Sequence, residues 1–328
     1  MLRADTGMPP QTPRPVLTGL PHCRITWQHA RVHTSRLVVV AAALLALAAC
    51  ATTHATGHPT PVPSPTTTES ATADPMASAS TPSADPSASP SRRSTAGVLP
   101  GATRPGTIPP VIDNGLRIGN RVALTFDADM TDAMRNRLAA DPSISFANRK
   151  VIDILDQTRT PATFFLTGEW VETYPDVARR LAANPRFELG NHTYRHEAFK
   201  SPCYTLPPIA PQNMTEDVAH TFRIITPLGG RQTRYFRFPG LCYDDIALKA
   251  LAPLGVTVIH GDVVSGDPYA TAAAPIIHAV LTRVHPGSIV IMHITEANAQ
   301  YTDEALSAIL SGLRARGLRP VALSELFR

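Results

Sequence analysis

The chain has 328 residues, enough for one large domain or two ordinary ones. Its 30 Lys+Arg stand against 26 Asp+Glu, and it lacks the basic runs with interleaved aromatics that a dedicated nucleic-acid binder carries. Proline is abundant at 32, much of it in the N-terminal third, which points to an extended segment ahead of any folded domain.

Residues 1–23 include Cys23, lie upstream of a normal n-region and read as an extended or misassigned start. Arg24, Arg31 and Arg36 then precede an apolar run, Leu37 to Ala49. That run is short for a bilayer span but suits the h-region of a secretory signal. It closes on Leu47-Ala48-Ala49-Cys50, which resembles the lipobox of bacterial lipoproteins. The resemblance implies a signal peptide within residues 1–50 and a lipidated Cys50 at the mature N-terminus. It also implies an extracytoplasmic protein anchored to the outer face of the cell membrane. A plain signal peptide or an uncleaved anchor is the competing reading. Residues 51–110 are Thr, Ser, Ala and Pro with scattered Asp, too poor in large apolar side chains to offset the entropy of ordering. They are expected to form a disordered tether.

The folded domain is expected over residues 111–328. Strand-like runs fall at 122–126, 162–168, 186–191, 234–238, 256–261, 288–294 and 320–326. Amphipathic stretches at 148–159, 173–184, 274–286 and 303–317 lie between them, with apolar residues at helical spacing, as in Val151, Ile152 and Leu155. Such alternation predicts parallel βαβ units and a barrel-like α/β domain. Polar residues close the apolar runs: Asp127 and Asp129, His192, Arg237, Asp262 and Asp267, then His293. In α/β barrels the C-terminal strand ends converge on one face, where active sites are built. His192 and His196, in NHTYRH, are by spacing alone either a metal pair or two polar residues on an ordinary helix.

Together these segments resemble the polysaccharide deacetylases of carbohydrate esterase family 4, the NodB-homology group, from about Arg121 to Leu326. The family's TFDD motif appears as Thr125-Phe126-Asp127-Ala128-Asp129, and H-[ST]-x-x-H is matched in full by His192 to His196. R-x-P is Arg237-Phe238-Pro239, D-x-x-D-W looks like Val264 to Pro268, and the last motif is Ile291-Met292-His293. The resemblance implies a distorted (β/α)7-type barrel and a hydrolase that removes acetyl groups, mainly N-acetyl of GlcNAc-type sugars, from a cell-wall or extracellular polysaccharide. It implies a divalent metal, Zn2+ first and Co2+ or Ni2+ next, on Asp129, His192 and His196, the i, i+4 imidazoles on one side of a helical turn. Asp127 is then the general base, paired with Arg237. His293 is the general acid, kept cationic by Asp267, and the Gly240 N–H is a second oxyanion donor.

Three positions depart from the family pattern. Ala128 stands where the metal carboxylate belongs, and Asp129 is expected to serve only if the chain leaves extended geometry after Asp127. A two-histidine site or a weakened enzyme is the alternative. Pro268 replaces the tryptophan of the fourth motif. Val264 replaces its first carboxylate, with Asp262 either compensating or capping. On the family's fold, Cys203 and Cys242 both lie on loops of the active face in an oxidising compartment, and a disulfide between them is expected, against two separate buried thiols. A glycan-binding relative without activity is the rival function; retention of both Asp127 and His293 favours the enzyme.

Overall fold

The computed structural model describes residues 98–328. Cys50, the signal peptide and most of the tether lie outside the described residues. Residues 98–110, expected to belong to the tether, are part of the domain instead. Arg234 N donates to Pro100 O (2.7 Å), Thr103 N to Gly255 O (3.0 Å) and Val258 N to Pro110 O (2.9 Å). The segment leaves Val98, Leu99 and Ile108 largely exposed and buries little apolar surface, but its backbone groups satisfy donors and acceptors of the neighbouring strands.

The elements follow the predicted alternation. Strand β1 (Val111–Ile112) precedes β2 (Arg121–Ala128), helices α1 (Asp132–Ala140) and α2 (Arg149–Gln157), and β3 (Ala162–Leu166). Helices α3 (Gly168–Thr173) and α4 (Pro175–Ala183) lead to β4 (Phe187–Asn191), α5 (Met214–Ile225), β5 (Arg231–Phe236), α6 (Asp245–Leu251) and β6 (Thr257–Ile259). The chain closes with β7 (Val263–Val264), α7 (Ala273–Arg283), β8 (Ile289–His293), α8 (Thr302–Ala315), β9 (Arg319–Val321) and α9 (Leu323–Leu326). Side-chain caps start several helices: Thr131 accepts from Met134 N, Asn148 from Val151 N, and Asp244 from Ala247 N.

All pairings between these strands are parallel, in the order β1-β6-β5-β4-β3-β2-β8-β7, with β9 on the first residues of β2. This is a curled parallel sheet, a distorted (β/α)7-type barrel. Strand β2 shows how it is filled. Val122, Leu124, Phe126, Ala128 and Met130 belong to the large core beneath the helices, packed with Val151, Leu155 and Leu306. The alternate residues face the barrel interior, where Ala123 meets Phe165, Tyr235, Ile259, Ile289 and Val321. The same alternation carries Asp127 to the interior at the C-terminal end.

The run at 320–326 is not one strand. It gives β9 and then α9, because Leu323 N and Ser324 N donate to Thr163 Oγ1 (3.2 Å) and the buried Glu188 Oε2 (3.1 Å) instead of to a sheet ladder. Helix α5 was not predicted, although Met214, Val218, Phe222 and Ile225 form a legible buried stripe.

Candidate metal and active site

Asp129, His192 and His196 each bring one ligand atom into a group whose atoms all lie within 4.8 Å of one another, and all three are buried. Asp129 Oδ1 is 3.4 Å from Nε2 of both histidines. Two ligands about 2.1 Å from a shared tetrahedral centre lie about 3.4 Å apart, so the donor set fits a divalent metal. Asp129 Oδ1 and His192 Nε2 are buried without a hydrogen-bond partner, as lone pairs awaiting a cation would be. His192 Nδ1 lies 2.8 Å from the carbonyl oxygen of Arg237. A carbonyl only accepts, so Nδ1 carries the proton and Nε2 presents its lone pair to the site. Burial lowers His196 to about 4, which keeps its imidazole neutral at pH 7. Burial opposes ionisation of Asp129, but His196, His293 and His192 outweigh it and hold this carboxyl well below the usual range.

Two expectations about this group are corrected. The histidines do not share a helical turn: β4 ends at Asn191, and Thr193 (φ 73°) and His196 (φ 56°) are both left-handed. Asn191 Oδ1 accepts from Thr193 N (2.9 Å) and Thr193 Oγ1 from His196 N (3.1 Å), closing a tight non-helical turn. Nor does Asp129 depend on a break in extended geometry. β2 stays in register with β3 through Ala128, and Ala128 and Met130 both point into the outer core. Asp127 and Asp129, two residues apart, therefore share the opposite face, while the family position at 128 points away.

On one side of this group, Arg237 Nη1 donates to Asp127 Oδ1 at 2.6 Å, both side chains buried. Arg237 Nε donates to Ile259 O (3.1 Å), and its guanidinium lies 4.2 Å from the Phe165 ring centroid. The arginine spans the barrel interior and holds one Asp127 oxygen. The other, Oδ2, is 3.8 Å from His192 Nε2.

On the other side, β8 places His293 in register with Asp127. His293 Nδ1 lies 2.8 Å from Asp267 Oδ1, and His293 N donates to Asp267 Oδ2 (2.8 Å). Burial would lower the imidazole, but Asp267, Asp129 and Asp127 outweigh it and raise His293 to about 10. Ser265 Oγ and Thr302 Oγ1 also donate to Asp267, each at 2.7 Å. Both hydroxyls were missed at the sequence level. Ser265, two residues before an aspartate, follows a local turn pattern; Thr302 reaches Asp267 only through the fold.

Cys203 and Cys242 form a disulfide with Cα atoms 6.0 Å apart, joining the loops after β4 and β5. Gly240 lies beside it in a left-handed conformation (φ 58°), and a Cβ there would meet Cys203 Sγ at 2.7 Å. Asp262 does not replace the missing carboxylate. It accepts from Arg117 (2.6 Å), Ser288 Oγ (2.9 Å) and Ile289 N (2.7 Å), a capping role outside the site.

Residues 117–259 match the family model for polysaccharide deacetylase. A peptidoglycan-N-acetylglucosamine deacetylase of Bacillus cereus is 30% identical over 214 residues, covering 63% of this chain and 68% of that protein. The chain belongs to the polysaccharide deacetylase family. A chitooligosaccharide deacetylase of Bradyrhizobium is 29% identical over 193 residues, 55% of this chain and 84% of that family member. Among solved structures, a peptidoglycan N-acetylglucosamine deacetylase in complex with 4-naphthalen-1-yl-N-oxidanyl-benzamide superposes with a TM-score of 0.56 at 27% identity. That match covers 66% of this polysaccharide deacetylase-family chain and 92% of the other.

Proposed function

We propose that this protein is a metal-dependent hydrolase that removes N-acetyl groups from GlcNAc-type sugars of a polysaccharide, with peptidoglycan or another wall glycan as the favoured substrate. The observation that carries the reading is the convergence of three metal-type ligands between a base-type pair, Asp127/Arg237, and an acid-type pair, His293/Asp267. The relatives named peptidoglycan-N-acetylglucosamine deacetylase and chitooligosaccharide deacetylase support the substrate class.

Asp129, His192 and His196 would hold the cation, Zn2+ best and Co2+ or Ni2+ also suited to such a set. The metal's chemistry is to acidify a water and draw electron density from the acetyl carbonyl. Asp127, aimed by Arg237, takes the proton from the attacking water. Protonated His293 delivers a proton to the amide nitrogen as the C–N bond breaks, releasing acetate and a free amine. Asp267, held by Ser265 and Thr302, keeps that imidazolium oriented. The Gly240 N–H is the proposed second donor to the developing oxyanion.

The lipobox-like stretch ending at Cys50 supports membrane anchoring at the cell's outer face, which favours a wall polymer. The deciding experiment is acetate release from N-acetylated oligosaccharides and purified peptidoglycan. Release that stops on chelation and returns with Zn2+ or Co2+ is expected. No release from any acetylated glycan overturns the proposal and leaves a binding protein.

A further inference from the structure

Two tyrosines outside the motifs stand exposed at the rim of the site. Tyr204 and Tyr269 are 71% and 74% exposed, unusual for large aromatic side chains, and their ring centroids are only 6.4 Å apart. They come from different loops. Tyr204 follows disulfide-bonded Cys203 in a left-handed conformation (φ 48°), and a Cβ added at Gly240 would come within 3.0 Å of its ring. Tyr269 ends the short 3-10 turn that begins at Asp267, its N–H donating to Gly266 O at 3.1 Å. The ring of Tyr204 thus lies beside Gly240, and Tyr269 shares its short turn with Asp267, the partner of His293.

We infer that Tyr204 and Tyr269 form an aromatic platform that binds a sugar ring of the glycan next to the residue being deacetylated. This inference rests on the deacetylase reading of the same site. The ring planes are tilted by 33° and the centroids lie 6.4 Å apart, too close to admit a pyranose between the rings, since each contact needs about 3.5–4.0 Å. The sugar therefore lies across the pair, its C–H face on the rings and its hydroxyls in water. Aromatic rings with a polar tip suit an occupant that is apolar on one face and wet at its edge. The backbone beneath both rings is set ahead of binding, at Tyr204 by the neighbouring disulfide and at Tyr269 by the turn that presents Asp267, which spares the complex the cost of ordering two loops.

The test uses Tyr204→Ala, Tyr269→Ala, the double variant and both Phe variants of the metal-loaded protein, assayed on N-acetylglucosamine tetramer. Each Ala change is expected to raise KM about three- to tenfold with a much smaller effect on kcat, and the Phe variants to retain most of the affinity. An unaltered KM in the double variant overturns the platform, as does an equal loss on p-nitrophenyl acetate, which has no second sugar. Should the wild type release no acetate, calorimetric titration with the tetramer decides. Binding weakened by the Ala changes upholds the platform while the deacetylase reading falls. Binding unaffected by them, or absent from the wild type, overturns it.

Discussion

The carbonyl of Arg237 accepts from Nδ1 of His192 at 2.8 Å, while the Arg237 guanidinium holds Asp127 at 2.6 Å. One residue thus orients a metal-type ligand through its backbone and the base-type carboxylate through its side chain. The two functions separate by substitution, because a side-chain change leaves the carbonyl in place. Arg237→Met strands Asp127 as a buried unpaired charge and is expected to cost about 3–5 kcal/mol in urea denaturation. Arg237→Lys should recover only part, since one ammonium does not reproduce the fork that reaches both Asp127 and Ile259 O.

Asp127 and Asp129 share a face but should fail differently. Asp129→Ala is expected to lower bound metal by at least tenfold in affinity, whereas Asp127→Asn should retain the metal and lose about 10²–10⁴ in acetate release. Metal analysis beside turnover distinguishes them; full stoichiometry and affinity in Asp129→Ala would remove Asp129 from the site.

Asp217, on α5, accepts from Tyr194 N (2.9 Å) between the two histidines. Burial raises its carboxyl to about 7 from 3.8, the Tyr194 bond only partly opposing this. The unfolded chain loses this proton near pH 4 and the folded chain near pH 7. Below pH 4 both states are protonated and no penalty applies; stability falls as pH rises from 4 to 7 and stays reduced above. Asp217→Asn should therefore melt higher than wild type at pH 8, by at most about 4 kcal/mol, with the gain vanishing at pH 4. A gain equal at both pH values would show that ionisation is not the cause.

The Cys203–Cys242 bridge closes a loop across a sequence separation of 39. Chain entropy assigns such a loop about 4 kcal/mol. The double Cys→Ala variant is expected to lose about that much at equilibrium and to raise KM for oligosaccharide, because Tyr204 loses its tether. Loss of stability with KM unmoved would separate the bridge from the mouth of the site.

By itself the sequence determined the strand and helix alternation, the core stripe of α2 and the polar residues that close the strands. Each is local: a period of 2 or 3.6, or a residue at the end of an apolar run, leaves its mark within a few positions. Which of those residues meet was decided by the tertiary structure. Asp129 reaches the histidines through the pleat of β2, whose alternate side chains enter the barrel. The histidines themselves meet across left-handed turns at Thr193 and His196 that i, i+4 spacing disguises as a helix. Thr302 joins Asp267, and Tyr204 joins Tyr269, only because the curled parallel sheet delivers its C-terminal strand ends to one mouth, and contacts between distant residues carry no local signature.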